Sequence, residues 1–205
     1  MSADAAPVQF VPALPPEEAA RANFYGLLAR LFCAAPDQAL LETLAAADEI
    51  VAEDGAASFA LAWRDLALAA AAADAEAVAN EYQTLFVGTG RAPVSLYAAN
   101  YLIKTAVDAP LVELRDFLAK WEISRRTSVF ETEDHFAALC ELMRYLIAGQ
   151  HAPLAEQMSI FSRFLWPATT PLCAAICGAK QAAFYRTVAS FAERFLEIEY
   201  AAFRM

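Results

Sequence analysis

The sequence is short of basic residues and histidine, and each shortage argues against a class of function. Its 205 residues contain 15 Lys and Arg against 25 Asp and Glu, a net charge of −10 that repels nucleic-acid phosphates and anionic lipid headgroups. We therefore predict no nucleic-acid binding and expect a charged partner to be basic. The two histidines, His135 and His151, lack the spacing of a zinc or di-iron site, so we predict no metal and no other cofactor.

Long apolar runs and export signals are also lacking. The most apolar run, residues 66–73, is far shorter than the roughly 20 residues that cross a bilayer, which predicts no stable membrane insertion. Residues 1–16 contain no Lys or Arg, unlike a secretory signal, and are predicted to be a flexible lead-in. The four cysteines lie in apolar stretches without disulfide spacing, which favours packed, reduced thiols in a cytoplasmic protein: Cys33, Cys140, Cys173 and Cys177.

Strand-like alternation is absent, while apolar residues recur at helical spacing through much of the chain. With 59% hydrophobic residues and no repeat or linker, the sequence predicts an all-α, single-domain helical bundle of about nine or ten helices over residues 17–205. Asp37 and Ser95 are predicted to cap helices, the second of which reaches about Val107. Pro167 and Pro171 are expected to interrupt the helix that contains them.

Enzyme signatures are missing as well. The sequence Gly88-Thr89-Gly90 lacks the Gly-Lys-Ser/Thr of a phosphate-binding loop, and no strand is predicted before it. No Gly-x-Ser-x-Gly segment supplies a serine nucleophile. We therefore predict that the protein is not an enzyme.

Two segments carry more information together than apart. The first, residues 81–88, reads Glu-Tyr-Gln-Thr-Leu-Phe-Val-Gly and is followed by Pro93 and Tyr97; the second, residues 131–135, reads Glu-Thr-Glu-Asp-His. The second segment combines acids with a capping hydroxyl, so it is predicted to open a helix whose first turn contains Asp134 and His135. From spacing alone, core and capping roles are favoured for the residues of both segments.

In this order the two segments resemble the TorD/DmsD/NarJ family of cytoplasmic chaperones for molybdenum-containing oxidoreductases. The family pattern is an aromatic-x-x-Leu-Phe-x-Gly segment followed by Glu-Pro-x-Asp-His, and Thr132 stands here in place of the proline. The resemblance implies a chaperone that binds the twin-arginine leader or N-terminal region of an apo catalytic subunit. It would hold that subunit for cofactor insertion before export, with the export machinery as a further partner.

The resemblance also implies which residues meet the peptide. Gly88 and Pro93 would shape the loop, and Asp134 would accept a hydrogen bond from a leader arginine or from a nearby backbone amide. The predicted peptide-binding residues are Tyr82, Leu85, Phe86, Tyr97, Glu131, Asp134 and His135.

Other interpretations stay open from the sequence. A nitrate-reductase-type assembly chaperone would dock on a catalytic subunit that is not exported. A nucleotide-binding helical protein would be a different class of function, although no phosphate loop supports it. A structural interaction domain would bind neither peptide nor nucleotide.

Overall fold

The fold is α-helical throughout the part of the chain that the structure describes. A computed structural model describes residues 14–51, 56–88, 90, 92–105, 109–124 and 131–205, and these residues contain no β-strand, which confirms the predicted all-α class. The predicted lead-in lies outside the described residues up to residue 13. The helices are α1 (Pro16–Cys33), α2 (Gln38–Ala45), α3 (Ala57–Ala72), α4 (Ala75–Tyr82), α5 (Ala99–Leu102), α6 (Pro110–Lys120), α7 (Phe136–Arg144), α8 (Leu154–Ile160), α9 (Trp166–Gly178) and α10 (Phe184–Ala202).

Three of these helices continue as π-helical turns. The turns are Gln83–Val87 after α4, Tyr145–Gly149 after α7 and Phe161–Leu165 between α8 and α9. The third turn joins α8 and α9 into one helix, so the expected interruption at Pro167 and Pro171 is wrong. Pro167 is the second residue of α9, directly after the π turn, and Pro171 lies inside α9, so neither proline ends the helix.

The joined helix Leu154–Gly178 has a length and composition that could cross a membrane. Half of its most apolar window is buried inside the structure. Core helices of globular proteins pass the same test, so this feature is weak evidence for a membrane span.

The core is built around three pairs of neighbouring helices. Helix α7 packs along α1, and α10 packs against both α3 and α9. Aromatic rings connect α1, α3 and α10, with Phe24 contacting Phe59, Trp63, Phe191 and Phe195 at centroid distances between 5.3 and 5.8 Å. This packing fixes α1 on one side, while α7 covers its other side.

Of the two predicted helix caps, the one at Asp37 is correct and the one at Ser95 is wrong. The Asp37 carboxylate accepts a hydrogen bond from the Leu40 amide at 2.8 Å, as predicted for an N-cap. Ser95 does not cap a long helix, because its hydroxyl oxygen accepts hydrogen bonds from the Tyr97 amide and the Asn100 side chain. The only helix that follows it within the described residues 92–105 is α5, which has four residues. Val107, where that helix was expected to end, lies outside the described residues.

The cysteines divide into two groups. Cys140 and Cys173 are buried as predicted, whereas Cys33 and Cys177 are exposed. Cys33 is the last residue of α1 and Cys177 the last but one of α9, so both lie where a helix leaves the core.

Candidate functional site: an acidic groove beside α7

The segment that precedes α7 differs from its predicted form. Helix α7 begins at Phe136, so Asp134 and His135 precede the first turn and do not lie in it. His135 is the N-cap residue, and its Nδ1 accepts a hydrogen bond from the Ala137 amide at 3.3 Å. The Asp134 carboxylate is buried and accepts hydrogen bonds from the Ala99 amide at 3.1 Å and from the Thr132 hydroxyl.

The two motif segments meet at this point. Residues Tyr97 and His135 form an isolated antiparallel β-bridge. The Phe136 amide donates to the Leu96 carbonyl at 2.7 Å, and the Ala98 amide donates to the Asp134 carbonyl at 2.9 Å. The Tyr97 ring stands edge-on to the His135 ring, with centroids 5.2 Å apart. Segments that lie about forty residues apart in sequence therefore form one unit.

The loop after α4 begins at Gly88. Its φ of 64° with ψ of 170° lies in a region that is essentially restricted to glycine, and its amide donates to the Gln83 carbonyl at 2.7 Å. The Val94 amide then donates to the Leu85 carbonyl at 3.0 Å, which returns the chain to the end of the π turn. Pro93 lies exposed just before Val94.

The aromatic residues of the first motif belong to the core. Leu85 is fully buried, Tyr82 is 7% exposed and Phe86 packs against the core cluster. The Tyr82 hydroxyl donates to the carbonyls of Phe32 and Cys33 at 3.2 and 3.0 Å, at the end of α1. Burial raises the pKa of Tyr82 to about 12. The phenol is therefore neutral and acts as a hydrogen-bond donor to α1.

The first residue of that motif, Glu81, has a structural role that the sequence analysis missed. Its carboxylate accepts hydrogen bonds from the amides of Ala183, Phe184 and Tyr185 at 2.8, 3.0 and 2.8 Å. These amides are at the start of α10, where backbone N–H groups lack partners within the helix. Glu81 therefore caps a helix that lies about a hundred residues further along the chain.

A groove of about 730 Å³ opens where α1, α6 and α7 meet the 131–135 segment. Its floor and walls are largely apolar, with contributions from Ala29, Leu118, Ile123, Ala137, Ala138, Leu142 and Tyr145. Among the residues that the structure describes, its charged lining consists of four carboxylates and one guanidinium: Glu122, Glu131, Glu133, Glu141 and Arg30. We call this feature the acidic groove.

Ion pairs at the edge of the groove involve at least two of these carboxylates. Glu133 pairs with Arg115 at 3.0 Å, and Glu141 pairs with Arg144 on the same helix. Both arginine side chains are about half exposed. Ion pairs in such positions typically contribute about 0–1 kcal/mol, so a ligand guanidinium could replace either arginine at little cost.

His135 lines the same groove but is only 8% exposed. Burial lowers the pKa of His135, and the nearby carboxylates of Glu131 and Asp134 act in the opposite direction. The imidazole is therefore mostly neutral at pH 7, in agreement with the acceptor role of its Nδ1 in capping α7.

Residues 52–195 match the family model described as nitrate reductase delta subunit. The chain belongs to the nitrate reductase delta subunit family. This membership confirms the resemblance to the TorD/DmsD/NarJ chaperones, because the family is of the NarJ/TorD type and its members assist the assembly of molybdoenzymes. No curated protein matches the sequence.

In this member of the nitrate reductase delta subunit family, the predicted site residues divide into two sets. Glu131 and His135 line the acidic groove, Asp134 lies buried beside it, and Tyr97, 37% exposed, packs against His135. Tyr82, Leu85 and Phe86 are not among the described residues that line the groove. Their role in peptide binding stays a prediction, and their observed contacts are with the core.

Several residues of the groove were missed from the sequence. Glu122 and Ile123 belong to a segment that looks like an ordinary polar loop. Glu141 lies on the polar side of α7, where a charged residue usually faces solvent. One indication of the groove was present in the sequence, because a strongly amphipathic helix follows directly on the acidic 131–134 segment.

Proposed function

We propose that this protein is a cytoplasmic molybdoenzyme chaperone that binds the N-terminal segment of a catalytic subunit in the acidic groove. The segment is a twin-arginine leader, and binding holds the apo subunit for cofactor insertion before export. The observation that carries the proposal is a largely apolar groove of about 730 Å³ whose described lining includes four carboxylates. The export machinery is then a further partner, which receives the loaded subunit.

The chemistry of a leader fits such a groove. A leader combines an arginine pair with an apolar stretch, and a guanidinium pairs with a carboxylate through two parallel hydrogen bonds. Leu118, Ile123 and Leu142 supply apolar surface beside Glu131 and Glu141, so both parts of the leader find their complement. The net charge of −10 would also speed the approach of a basic segment at low ionic strength.

A second candidate is docking on a catalytic subunit that is not exported. The family description, nitrate reductase delta subunit, favours it, since such a chaperone would meet only the remnant of a leader. The two candidates differ in the ligand. A twin-arginine leader should lose affinity when its arginine pair is replaced by lysine, whereas a remnant without that pair should bind through its apolar residues.

The test is calorimetric titration with synthetic N-terminal peptides of the molybdoenzyme catalytic subunits from the same genome. Ala138→Arg places bulk and positive charge in the groove, so it should lower peptide affinity at least tenfold. The matched control is Ala174→Arg, because Ala174 is an exposed helical alanine outside the groove. Circular dichroism establishes that both variants are folded.

The charge contribution is tested separately. Glu131→Gln should weaken binding by about three- to tenfold, as expected for one exposed charge contact, and more at low salt than at high salt. Glu49→Gln, an exposed glutamate outside the groove, should leave affinity unchanged. Equal affinities for wild type and Ala138→Arg would contradict the proposal, as would the failure of every peptide and every intact catalytic subunit to bind.

A further inference from the structure

A second cavity adjoins the acidic groove, and its described lining has more basic than acidic groups. It has a volume of about 520 Å³ and lies between α1, α2 and α7, with Trp63 of α3 in its wall. We call it the Trp63 pocket. Its apolar lining includes Leu27, Leu40 and Leu44, so it could take up a large apolar side chain.

Among the described residues, two line both cavities, so the cavities are neighbours on one surface. Arg30 of α1 and Glu141 of α7 are found in the walls of the acidic groove and of the Trp63 pocket. Along α1, lining residues run from Ala22 to Cys33, a distance of about 16 Å at a rise of about 1.5 Å per residue. About five extended residues, or about eleven helical ones, span that distance.

The charged residues differ between the two cavities. Among the described residues, the lining of the acidic groove has four carboxylates and one guanidinium, whereas the lining of the Trp63 pocket has two guanidinium groups, Arg30 and Arg144, and one carboxylate, Glu141. A ligand that crosses from one cavity to the other is therefore matched best if its charge changes sign along its length.

The ion pair of Glu141 and Arg144 lies where the two cavities adjoin, because Glu141 lines both of them and Arg144 lines the Trp63 pocket. Both side chains are about half exposed, so the pair contributes little to stability and is free to exchange partners. The Arg144 side chain lies across Gly26 of α1, where its Cδ would be 2.9 Å from an added Cβ. A larger residue at this position would displace Arg144, so glycine lets the Arg144 side chain lie close against α1.

We propose that the client segment extends beyond the acidic groove into the Trp63 pocket, where it places an apolar side chain and a carboxylate. The apolar side chain would pack against Trp63, Leu40 and Leu44, and the carboxylate would pair with Arg144 or Arg30. A basic residue of the same segment would pair with Glu141 in place of Arg144. This inference rests on the proposed function and adds a second, oppositely charged subsite to it.

The test uses the first 30 residues of the catalytic subunit that binds in the titrations above, together with its two 15-residue halves. Thr43→Trp fills the Trp63 pocket from an exposed position on α2, and Thr170→Trp is the matched control on the exposed side of α9. We expect Thr43→Trp to lower the affinity of the 30-residue peptide about tenfold. The half that occupies the acidic groove should bind Thr43→Trp and wild type equally, whereas Ala138→Arg should weaken both peptides.

The charge of the subsite is tested with Arg144→Glu. It should weaken the 30-residue peptide, and replacing the acidic residues of the peptide with lysine should restore affinity for the variant while lowering it for wild type. Lys180→Glu, which makes the same charge change at an exposed position outside both cavities, is the control.

The outcomes separate this inference from the proposed function. If Ala138→Arg weakens the 30-residue peptide while Thr43→Trp and Arg144→Glu do not, the client ends in the acidic groove and only the present inference fails. If none of the three variants changes affinity, both fail. A dimer of the chaperone that Thr43→Trp dissociates, with no effect on peptide affinity, would show that a second copy fills the pocket and would also overturn the inference.

Discussion

Replacing Glu81 with alanine should destabilise the protein without weakening peptide binding. The Glu81 carboxylate accepts hydrogen bonds from three amides at the start of α10, and it lies outside the acidic groove. Loss of an N-cap costs about 1 kcal/mol, and loss of a negative charge at a helix N-terminus costs up to about 1 kcal/mol more. We therefore expect the free energy of unfolding to fall by about 2 kcal/mol.

Urea unfolding monitored by circular dichroism measures this loss directly. In thermal unfolding, about 2 kcal/mol corresponds to a Tm lower by about 4–8 °C for a domain of this size. Glu81→Gln keeps one carbonyl acceptor but removes the charge, so it should lie between wild type and Glu81→Ala. Glu49→Ala removes an exposed glutamate from an irregular stretch and should change stability by less than about 0.5 kcal/mol.

Two results would refute the reasoning. If Glu81→Ala unfolded at the same urea concentration as Glu49→Ala, the carboxylate would not cap α10. If Glu81→Ala stayed as stable as wild type but bound the leader peptide at least tenfold more weakly, this first residue of the motif would act on the ligand.

Two further predictions concern the motif residues Tyr82 and His135. Tyr82→Phe should lower the free energy of unfolding by about 1 kcal/mol, because the lost hydroxyl donates to the carbonyls of Phe32 and Cys33. Peptide affinity should stay unchanged. A loss of affinity without a loss of stability would contradict this prediction. Burial lowers the pKa of His135, so the unfolded chain takes up the proton first and stability is lost as pH falls from about 6.5 towards the folded-state pKa. In His135→Gln, the urea midpoint should therefore fall less between pH 7 and pH 5 than in wild type, and parallel pH profiles would refute the role of this histidine.

Helical periodicity in the sequence was enough to predict most of the fold. The apolar stripes of α7 and α10 are local patterns, and both helices form where those stripes lie. The errors came where short-range contacts compete with helix formation. The Ser95 hydroxyl accepts hydrogen bonds from the Tyr97 amide and the Asn100 side chain, so it is not available to cap a longer helix.

The candidate site could be predicted only in part, because it is assembled from distant segments. Glu131 and His135 were found through their motif, whereas Glu122 and Glu141 look like ordinary solvated residues in sequence. They become part of one groove only when α1, α6 and α7 pack together. The contact of Arg144 with Gly26 likewise depends on the close approach of two helices, which no local pattern encodes.

The positions of the motif residues separate the framework of the site from its lining. The Glu81 carboxylate accepts hydrogen bonds at the start of α10, and the Tyr82 hydroxyl donates to a carbonyl at the end of α1. The Asp134 carboxylate accepts a hydrogen bond from the Ala99 amide. Most of the residues that line the acidic groove, such as Glu122, Ala138 and Leu142, lie outside both motifs. Changes in the framework should therefore alter stability first, whereas changes in the lining should alter affinity first. A family that keeps the framework and varies the lining could serve different client subunits with one fold, because the framework sets where the groove lies and the lining sets what it binds.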